Sequence, residues 1–582
     1  MWLSNSLRSS ERGINMIKRV LFVTTITLMS SQYSFATPLL PIDARGLAMG
    51  STGVASAKLA HAPQYNPALL STAAEDEDFA IIIPQIGVVV ADEEKLVESF
   101  DDLANEDYAD DGNGNQEPII DHFDTILTNL DNILVNGPNP VEQQIKDLEL
   151  LLPNNINTSD PNLLTIANDL DTAATTLDNS ISGVQAQTSD LQQTTFDLTT
   201  ELDSLSGNPL RGTLGINGAI AIPSKTFAAA VSVSGSAYFS GRMFFTDNDQ
   251  QLFNDYAGAI DDYAGEVKDY TGETASLAQT LQTFADLCDP SSPNFVNSPA
   301  RLAQCQTLTT QADAKLTSTN NELDDLSSFS RTSGDTVIIT TDANGNIVIA
   351  EDPDLTSNVQ IIAVAITEIG LTLSRSFNIA GENIAIGITP KLQTIKTFNF
   401  VTTIEDEEID EEDVTDTEQD FSDFNIDLGA AYQFGADKQW QVGLVARNLL
   451  SKEYQTVSNE YGSTGNTLTS ETLISLDTQF RGGVSHTTEW TVIAIDIDLM
   501  ENDPVAFESP TQYASIGAEF DLFDTLQLRA GYRTNLSASD ASVASVGLGL
   551  SPFGLHLDIA AMANPNDPEK EIGAAIEFGL YF

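Results

Sequence analysis

Three acidic stretches are the parts of this chain whose residue types could bind a ligand. Residues 107–116 and 342–346 combine carboxylates and amides with glycine, and such oxygen ligands bind Ca²⁺. Both lack the regular ligand spacing and the terminal glutamate of an EF-hand loop, and an Asn-Gly turn explains the second. The third stretch, 405–420, has eleven carboxylates in sixteen positions and is most simply a solvated loop that gathers divalent cations weakly.

The other reactive residue types show no catalytic pattern. The histidines are scattered without metal-site spacing, at His61, His122, His486 and His556. The chain has no Gly-x-Ser-x-Gly elbow, no phosphate loop and no HExxH helix. A net charge of −60, from 85 acidic and 25 basic residues, would repel nucleic acid. We therefore predict no enzyme activity, no metal site, no cofactor and no nucleic-acid partner.

The amino end of the chain predicts export. Lys18 and Arg19 precede an apolar run over 20–29, and Ser34-Phe35-Ala36 then resembles a cleavage site. We interpret 1–36 as a signal peptide, in which Met16 is the more natural initiator and 1–15 would be a start-site artefact. The run is too short to span a bilayer as a helix, and no later segment approaches eighteen continuous apolar residues.

The two cysteines, Cys288 and Cys305, fit an oxidising compartment. If paired, they would close a short loop, and we expect this disulfide. Two buried free thiols are the alternative.

Apolar residues alternate with small or polar ones along many segments of the chain. In the last twelve residues the apolar set runs from Ile572 to Phe582, and the segment 493–499 has the same pattern. A period of two predicts strands with one apolar and one wet face. About fourteen candidates follow, at 79–90, 212–222, 226–245, 358–376, 381–397, 423–435, 438–450, 473–486, 488–501, 512–521, 525–535, 541–551, 554–564 and 571–582.

The polar face of these strands has charged residues on strand after strand, which a dry core would not tolerate unpaired. We therefore predict a membrane barrel, in which the apolar set faces lipid and the polar set lines the lumen. The charges could form an ion-pair network that supports a plug, or they could line a polar permeation path. The predicted lumenal residues are Asp427, Arg447, Asp477, Arg481, Asp496, Asp498, Glu519, Arg529, Arg533, Asp558 and Glu577.

The segments DARGLAMGSTGVASA, at 43–57, and YNPALLS, at 65–71, carry a family resemblance. Together they resemble the amino-terminal signature of the conjugal-transfer TraF-type outer-membrane proteins, which are related to FadL-type and PorV-like barrels. The resemblance implies a barrel of fourteen strands over 79–582 and a hatch inside it over 37–78. The hatch motif of the FadL-type proteins falls here on Asn66, Pro67 and Ala68.

The terminal aromatic residue, Phe582, looks like the assembly signal of such a barrel. The resemblance implies two partners, outer-membrane lipid and the barrel-assembly machinery. The predicted location is the outer membrane of a Gram-negative bacterium.

The connections between the predicted strands alternate between short and long. Short turns of such barrels are periplasmic and long loops lie outside. Two of the long connections, 92–210 and 247–333, exceed any loop and have apolar residues at steps of three and four. This spacing predicts extracellular helices with coiled-coil-like seams, including one helix over 163–205. We expect one joint bundle, with two independent bundles as the alternative, and an acidic outer loop over 398–422.

The predicted fold class is an all-β transmembrane barrel of about fourteen antiparallel strands, with an N-terminal hatch and large α-helical insertions in outer loops. A FadL-like barrel implies passage of hydrophobic small molecules, and hence a hydrophobic ligand. The alternative is an outer-membrane anchor that presents a helical surface bundle for cell contact or conjugative-transfer assembly, and hence a protein partner. An open water-filled porin is disfavoured, because a hatch would obstruct its pore.

Overall fold

The computed structural model describes residues 41–72, 79–99, 109–110, 116–117, 119–157, 159–334, 336–349, 355–379, 381–404, 411–461, 468–470, 472–502, 507, 509–523, 525–538 and 541–581. The predicted signal peptide, both ends of the predicted hatch and Phe582 lie outside these residues. So does most of 107–116, together with the first part of 405–420. The described residues form two compact units, which are the barrel with its hatch and the helical insertions.

Fourteen antiparallel strands close into a barrel in which each strand pairs with its neighbours in sequence, and the first also pairs with the last. The strands are β1 Ala80–Ala91, β2 Pro209–Ile222, β3 Ala228–Phe244, β4 Asn358–Ile379, β5 Glu382–Thr403, β6 Gln419–Phe434, β7 Trp440–Arg447, β8 Gln479–Thr487, β9 Thr491–Asp498, β10 Tyr513–Leu522, β11 Leu526–Asn535, β12 Ser542–Leu550, β13 Leu555–Ala563 and β14 Glu571–Tyr581. The barrel predicted from alternation is confirmed.

The outer face of the barrel is apolar. On β9 the side chains of Ile493, Ile495 and Ile497 are 48%, 48% and 42% exposed, whereas Asp496 between them is fully buried. Large aliphatic residues are exposed in this way on strand after strand, and soluble monomers rarely leave such a continuous apolar surface in water. The barrel is therefore a transmembrane one.

The predicted strand over 473–486 begins later, because its first residues belong to another sheet. Leu473–Leu476 pairs with Lys452–Gln455 in a two-stranded ribbon. The barrel strand starts only at Gln479. Alternation continues through both segments, so the residue pattern does not mark the boundary between them.

Among its described residues, the second unit contains five helices, a three-stranded sheet and a two-stranded ribbon of Ala109–Asp110 and Gln116–Glu117. The helices are α3 Ile119–Asp131, α4 Val141–Leu151, α5 Leu163–Leu205, α6 Asp247–Cys288 and α7 Pro299–Ser327, with a π-helical turn at Asn132–Asn136 after α3. The sheet strands are Ser330–Ser333, Thr336–Thr341 and Ile347–Ile349. A short helix, α8 Glu411–Thr415, lies in the acidic connection between β5 and β6. Among the described helices none is long and apolar enough to cross a membrane.

The two insertions pack against each other along α5 and α6, which run antiparallel. The amide of Gln282 donates to Asn168 at one end, and that of Gln250 donates to Asp203 at the other. Lys268 contacts Gln185 between them. The seam of α5 is buried from Leu163 to Leu205, as its three- and four-residue steps predict.

The predicted seam fails in the first part of α7. Leu302 is 53% exposed and Leu308 is only half-buried. The buried residues of this helix begin at Ala312. Cys288 and Cys305 form a disulfide that joins the end of α6 to this poorly packed part of α7.

The hatch consists of short helical segments. They are α1 Ala44–Ala48, a 3₁₀ turn at Leu59–His61, α2 Ala62–Tyr65 and a second 3₁₀ turn at Pro67–Ser71. Almost every described hatch residue is buried, and the hatch lies against the inner face of the barrel wall. The candidate site is this interface.

Candidate functional site

Two side chains fix the path of the hatch by capping its turns. Asp43 caps α1 and accepts a hydrogen bond from the backbone N–H of Gly46. Asn66 accepts from the N–H of Ala68 and donates through Nδ2 to the carbonyl of Val54, 2.9 Å away, and to that of Ala430 in β6. Of the predicted motif residues, Asn66 thus joins two hatch turns to the wall, while Pro67 and Ala68 begin the second 3₁₀ turn.

The wall approaches the hatch closely at glycines on its inner face. A Cβ atom on Gly531 of β11 would lie 2.1 Å from the backbone nitrogen of Gly50 and 2.3 Å from the carbonyl carbon of Met49. A Cβ on Gly443 of β7 would lie 2.2 Å from the carbonyl oxygen of Val54. No side chain fits at these positions unless the hatch backbone moves.

We expect Gly531→Ala to loosen the hatch, because the added methyl group meets backbone atoms rather than a flexible side chain. Overpacking of this kind costs about 1–3 kcal/mol. A cysteine at the fully buried Ala60 reports the loosening through its rate of maleimide labelling in detergent. Labelling should be roughly tenfold faster or more in the Gly531→Ala background.

Gly241→Ala is the matched control for this labelling experiment. A Cβ on Gly241 of β3 would make one ordinary contact, 3.7 Å from Ile361. The cysteine at position 60 should be labelled at the same rate with and without Gly241→Ala. Equal rates for Gly531→Ala and Gly241→Ala would show that the close approach does not hold the hatch.

Glu519 of β10 is the centre of an ion-pair contact between hatch and wall. Its carboxylate is buried and contacts Arg45 at 2.9 Å and Lys58 at 3.3 Å, both from the hatch. Arg529 of β11 contacts it at 2.7 Å and also pairs with Asp558. The predicted lumenal charges thus form an ion-pair network that includes hatch residues.

A second carboxylate, Asp496 of β9, binds the hatch backbone. Its Oδ2 accepts hydrogen bonds from the N–H groups of Gly53, at 2.7 Å, and Val54, at 3.0 Å. Arg481 lies 4.0 Å from Asp496 and 3.4 Å from Asp498. This arrangement lets one buried carboxylate satisfy two backbone donors that the irregular hatch leaves without partners.

Of the other predicted lumenal residues, Arg533 and Asp427 form ion pairs on barrel strands, whereas Asp477 lies in a connection. Arg533 pairs with Glu571 at 2.6 Å and donates to Ser51 of the hatch. Asp427 lies 3.0 Å from Lys391. Asp477, by contrast, lies in the connection before β8, where it accepts a hydrogen bond from Ser451.

Arg447 borders two small recesses between hatch and wall, and the larger one has a mainly polar lining. The larger is lined by serine and threonine side chains, Lys391 and Glu368, and Arg447 lies 4.0 Å from Glu368. Gln64 of the hatch borders both recesses, and neither atom of its buried amide has a hydrogen-bond partner among the described residues. These recesses suit water or small polar solutes.

Sequence reasoning missed several residues of this interface. Glu368 and Lys391 lie on predicted strands, at positions where alternation already places the inward face, so the pattern contained their signal. Arg45 and Asp43 lie in the predicted hatch, but the irregular hatch has no periodicity from which to assign partners. Nothing in the sequence distinguishes His61 from the other histidines.

His61 lies between two buried carboxylates, those of Asp43 and Glu577. Its Nε2 is 2.9 Å and 3.0 Å from the two oxygens of Glu577 and 3.7 Å from Asp43. Burial lowers the pKa of His61, but Glu577 and Asp43 outweigh it and the pKa is raised. Burial and the neighbouring Asp43 also raise the pKa of Tyr65 well above its usual range, so its hydroxyl stays protonated and donates to Asp43.

Another part of the interface is apolar. Leu59, Leu69 and Leu70 of the hatch pack against inward-facing alanines of the wall, and we call this contact the alanine seam. Its wall residues are Ala80 and Ile82 of β1, Ala219 and Ala221 of β2, Ala228 and Ala230 of β3, Ala385 of β5 and Ala431 of β6. The seam is one of the apolar contacts between hatch and wall, and each of its residues is at most 5% exposed.

The wall is irregular where β1 borders the alanine seam. The pairing of β1 shifts between Ile82 and Gln85 on both sides, against β14 and against β2. Pro84 lies in this bulge and has no N–H to donate. Ile83 is 61% exposed on the outer face, whereas Gln85 is buried and its side-chain amide has no partner among the described residues.

A model of a known protein family matches this chain. The model of the family described as "F plasmid transfer operon, TraF, protein" matches residues 63–156 and 139–498, together more than half of the chain. No curated protein matches.

Among solved structures, the chain is similar to the P. putida toluene transporter TodX, at 10% identity and a TM-score of 0.38, and to the Ralstonia pickettii toluene transporter TbuX, at 9% and 0.39. It is also similar to a Pseudomonas aeruginosa FadL homologue, at 10% and 0.36. Each alignment covers 94% of this chain and 99% of the other.

Proposed function

The chain belongs to the family of the F plasmid transfer operon protein TraF, and on that premise we propose that it is a FadL-like outer-membrane barrel that lets hydrophobic small molecules pass. The main observation in support of this proposal is the alanine seam, which borders the bulge in β1. An apolar solute needs a path on which it displaces no water from polar groups. We propose that this path follows the seam, whose residues are all apolar and buried.

The bulge supports a lateral route between the seam and the lipid. A regular wall is sealed by a continuous ladder of backbone hydrogen bonds, and β1 interrupts that ladder on both of its edges at the same place. Gly218 of β2 places no side chain beside the bulge, where a Cβ would lie 3.3 Å from the carbonyl oxygen of Ile82 and 3.9 Å from the side chain of Ile83. The proposed route follows the seam to this point and leaves the two recesses to water.

A second candidate function is that of an outer-membrane anchor for conjugative-transfer assembly or cell contact. The family description supports it, as does the size of the helical unit, in which α5 and α6 have 43 and 42 residues. Both insertions lie in long connections between barrel strands, and we propose that these long connections are extracellular. The barrel would then hold a rigid helical partner-binding element at the cell surface.

Uptake of radiolabelled toluene by cells tests the first proposal. We expect cells with the wild-type barrel to take up toluene faster than cells without it. Ala219→Phe should abolish most of this difference, because its inward side chain fills the seam. Ile220→Phe is the matched control, since the neighbouring Ile220 is 43% exposed on the outer face and its replacement leaves the seam unchanged.

The result separates the two candidates. Equal uptake with and without a correctly assembled barrel would refute the transport proposal. Plasmid-transfer frequency, measured in the same strains, should then depend on residues 119–204 and 247–333 rather than on the seam. Assembly is checked in every strain by the heat-dependent shift in gel mobility that folded barrels show.

A further inference from the structure

Three side chains that can bind a metal converge between the hatch and the last strand. Asp43 and His61 come from the hatch and Glu577 from β14, and one ligand atom from each lies within 4.8 Å of the other two. The side chains are 1%, 2% and 0% exposed, respectively. No other group with metal-binding geometry occurs among the described residues.

The charges of this cluster do not balance. Nearby, Glu519 is surrounded by Arg45, Lys58 and Arg529, and Arg529 also neutralises Asp558. Within the described part of the chain, by contrast, neither Asp43 nor Glu577 has a lysine or arginine partner, and each pairs only with His61. An imidazolium would supply one positive charge for two buried carboxylates, and an uncompensated buried charge is costly.

The hydrogen bonds of the cluster are also incomplete. Both oxygens of Glu577 lie within 3.0 Å of Nε2, but only Oε2 is placed to form a hydrogen bond. Oε1 is fully buried and has no hydrogen-bond partner among the described residues. One N–H cannot satisfy a carboxylate that faces it with both oxygens, whereas a cation bound beside the two groups can.

We propose that Asp43, His61 and Glu577 bind a divalent transition-metal ion, of which Zn²⁺ fits best. One imidazole nitrogen and two carboxylates are a mixed ligand set that suits Zn²⁺ better than Ca²⁺ or Mg²⁺, which prefer oxygen alone. The ion neutralises the two carboxylates. Tyr65 donates to the second oxygen of Asp43 and thereby orients this ligand, as groups around metal sites commonly do.

The proposed ion has a structural role that goes beyond passage of a solute. Two of its ligands belong to the hatch and the third to the strand that closes the barrel. Bound metal would therefore tie the hatch to β14, and its removal would weaken this tie. The metal site and the alanine seam share none of their residues, so the two proposals can fail independently.

Metal content of the purified protein tests the proposal. The full chain is extracted from outer membranes in detergent, treated with EDTA, loaded with Zn²⁺, passed through a desalting column and analysed by mass spectrometry of the metal. We expect about one Zn²⁺ per chain. His61→Asn and Glu577→Gln should each retain less than about a tenth of this amount, because each loses one of three ligands.

His122→Asn is the matched control. His122 is also buried and lies 3.5 Å from a carboxylate oxygen of Asp190, but it does not belong to a group with metal-binding geometry. Its Zn²⁺ content should equal that of the wild type. Zn²⁺ contents that are equal in the wild type and in Glu577→Gln would overturn the proposal.

A measurement on the wild type alone covers the case in which the variants do not assemble. EDTA should lower the temperature at which the wild-type barrel unfolds, and stoichiometric Zn²⁺ should restore it. An unfolding temperature that is the same in EDTA and in Zn²⁺ would overturn the proposal as well.

Discussion

Replacement of Glu519 by glutamine is expected to lower the free energy of unfolding of the barrel by about 3–5 kcal/mol. The change keeps the volume of the side chain and removes only its charge. Arg45 then has no carboxylate partner among the described residues, and Arg529 keeps Asp558 alone. The cost arises because the buried guanidinium of Arg45 has lost its hydration and its counter-ion and keeps only neutral partners such as the carbonyl of Ser56.

The free energy of unfolding is measured by titration with urea in detergent. The folded fraction at each urea concentration is read from the difference in gel mobility between folded and unfolded barrel. The hatch should also loosen, because Arg45 and Lys58 are its ionic contacts with β10. A cysteine at Ala60 should therefore react faster with maleimide in this variant than in the parent.

Glu273→Gln is the matched control for the charge change. Glu273 pairs with Lys315 at 3.0 Å, but both side chains are about one-third exposed. Water replaces such a partner, so the loss should be at most about 1 kcal/mol. Equal losses in Glu519→Gln and Glu273→Gln would mean that the Glu519 network does not hold the hatch in place.

The sequence predicted the barrel because its constraint is local. A strand between lipid and a wet lumen must alternate in polarity, and the alternation can be seen in any ten residues, as in Ile493 to Asp498. The seam of α5 is local in the same sense, because each step of three or four residues returns to one face. Alternation misplaces some strand boundaries, as before Gln479, where two sheets follow each other in one run, and in β5, which continues to Thr403 beyond its predicted end at 397.

The interface between hatch and wall could be predicted only in part. Alternation predicts that charged residues line the lumen, but it does not predict which of them pair. His61 and Glu577 are 516 positions apart in the sequence, and Arg45 and Glu519 are 474 positions apart. The small inward residues contain a signal that alternation does not separate from the polar residues on the same face. Gly531 and Ala219 are small because the hatch backbone and hatch leucines lie against them.

Removing the disulfide, through Cys288→Ser and Cys305→Ser together, is expected to destabilise the first part of α7 by roughly 3 kcal/mol. The bond closes a segment in which the cysteines are 17 positions apart, and it restricts the unfolded chain. Packing cannot compensate for its loss, because no residue of α7 before Ala312 is buried. The remainder of the helix, which packs through Leu316 and Leu326, should stay folded.

Hydrogen exchange followed by mass spectrometry measures this effect region by region. Amides over 299–311 should exchange roughly 150-fold faster in the double variant, which is the rate equivalent of 3 kcal/mol. Amides of α5 serve as the internal control, because the buried seam holds that helix without a covalent link. Acceleration spread equally over α5 and α7 would show that the bond stabilises the bundle as one cooperative unit. Unchanged exchange over 299–311 would show that α7 is held by contacts other than the disulfide.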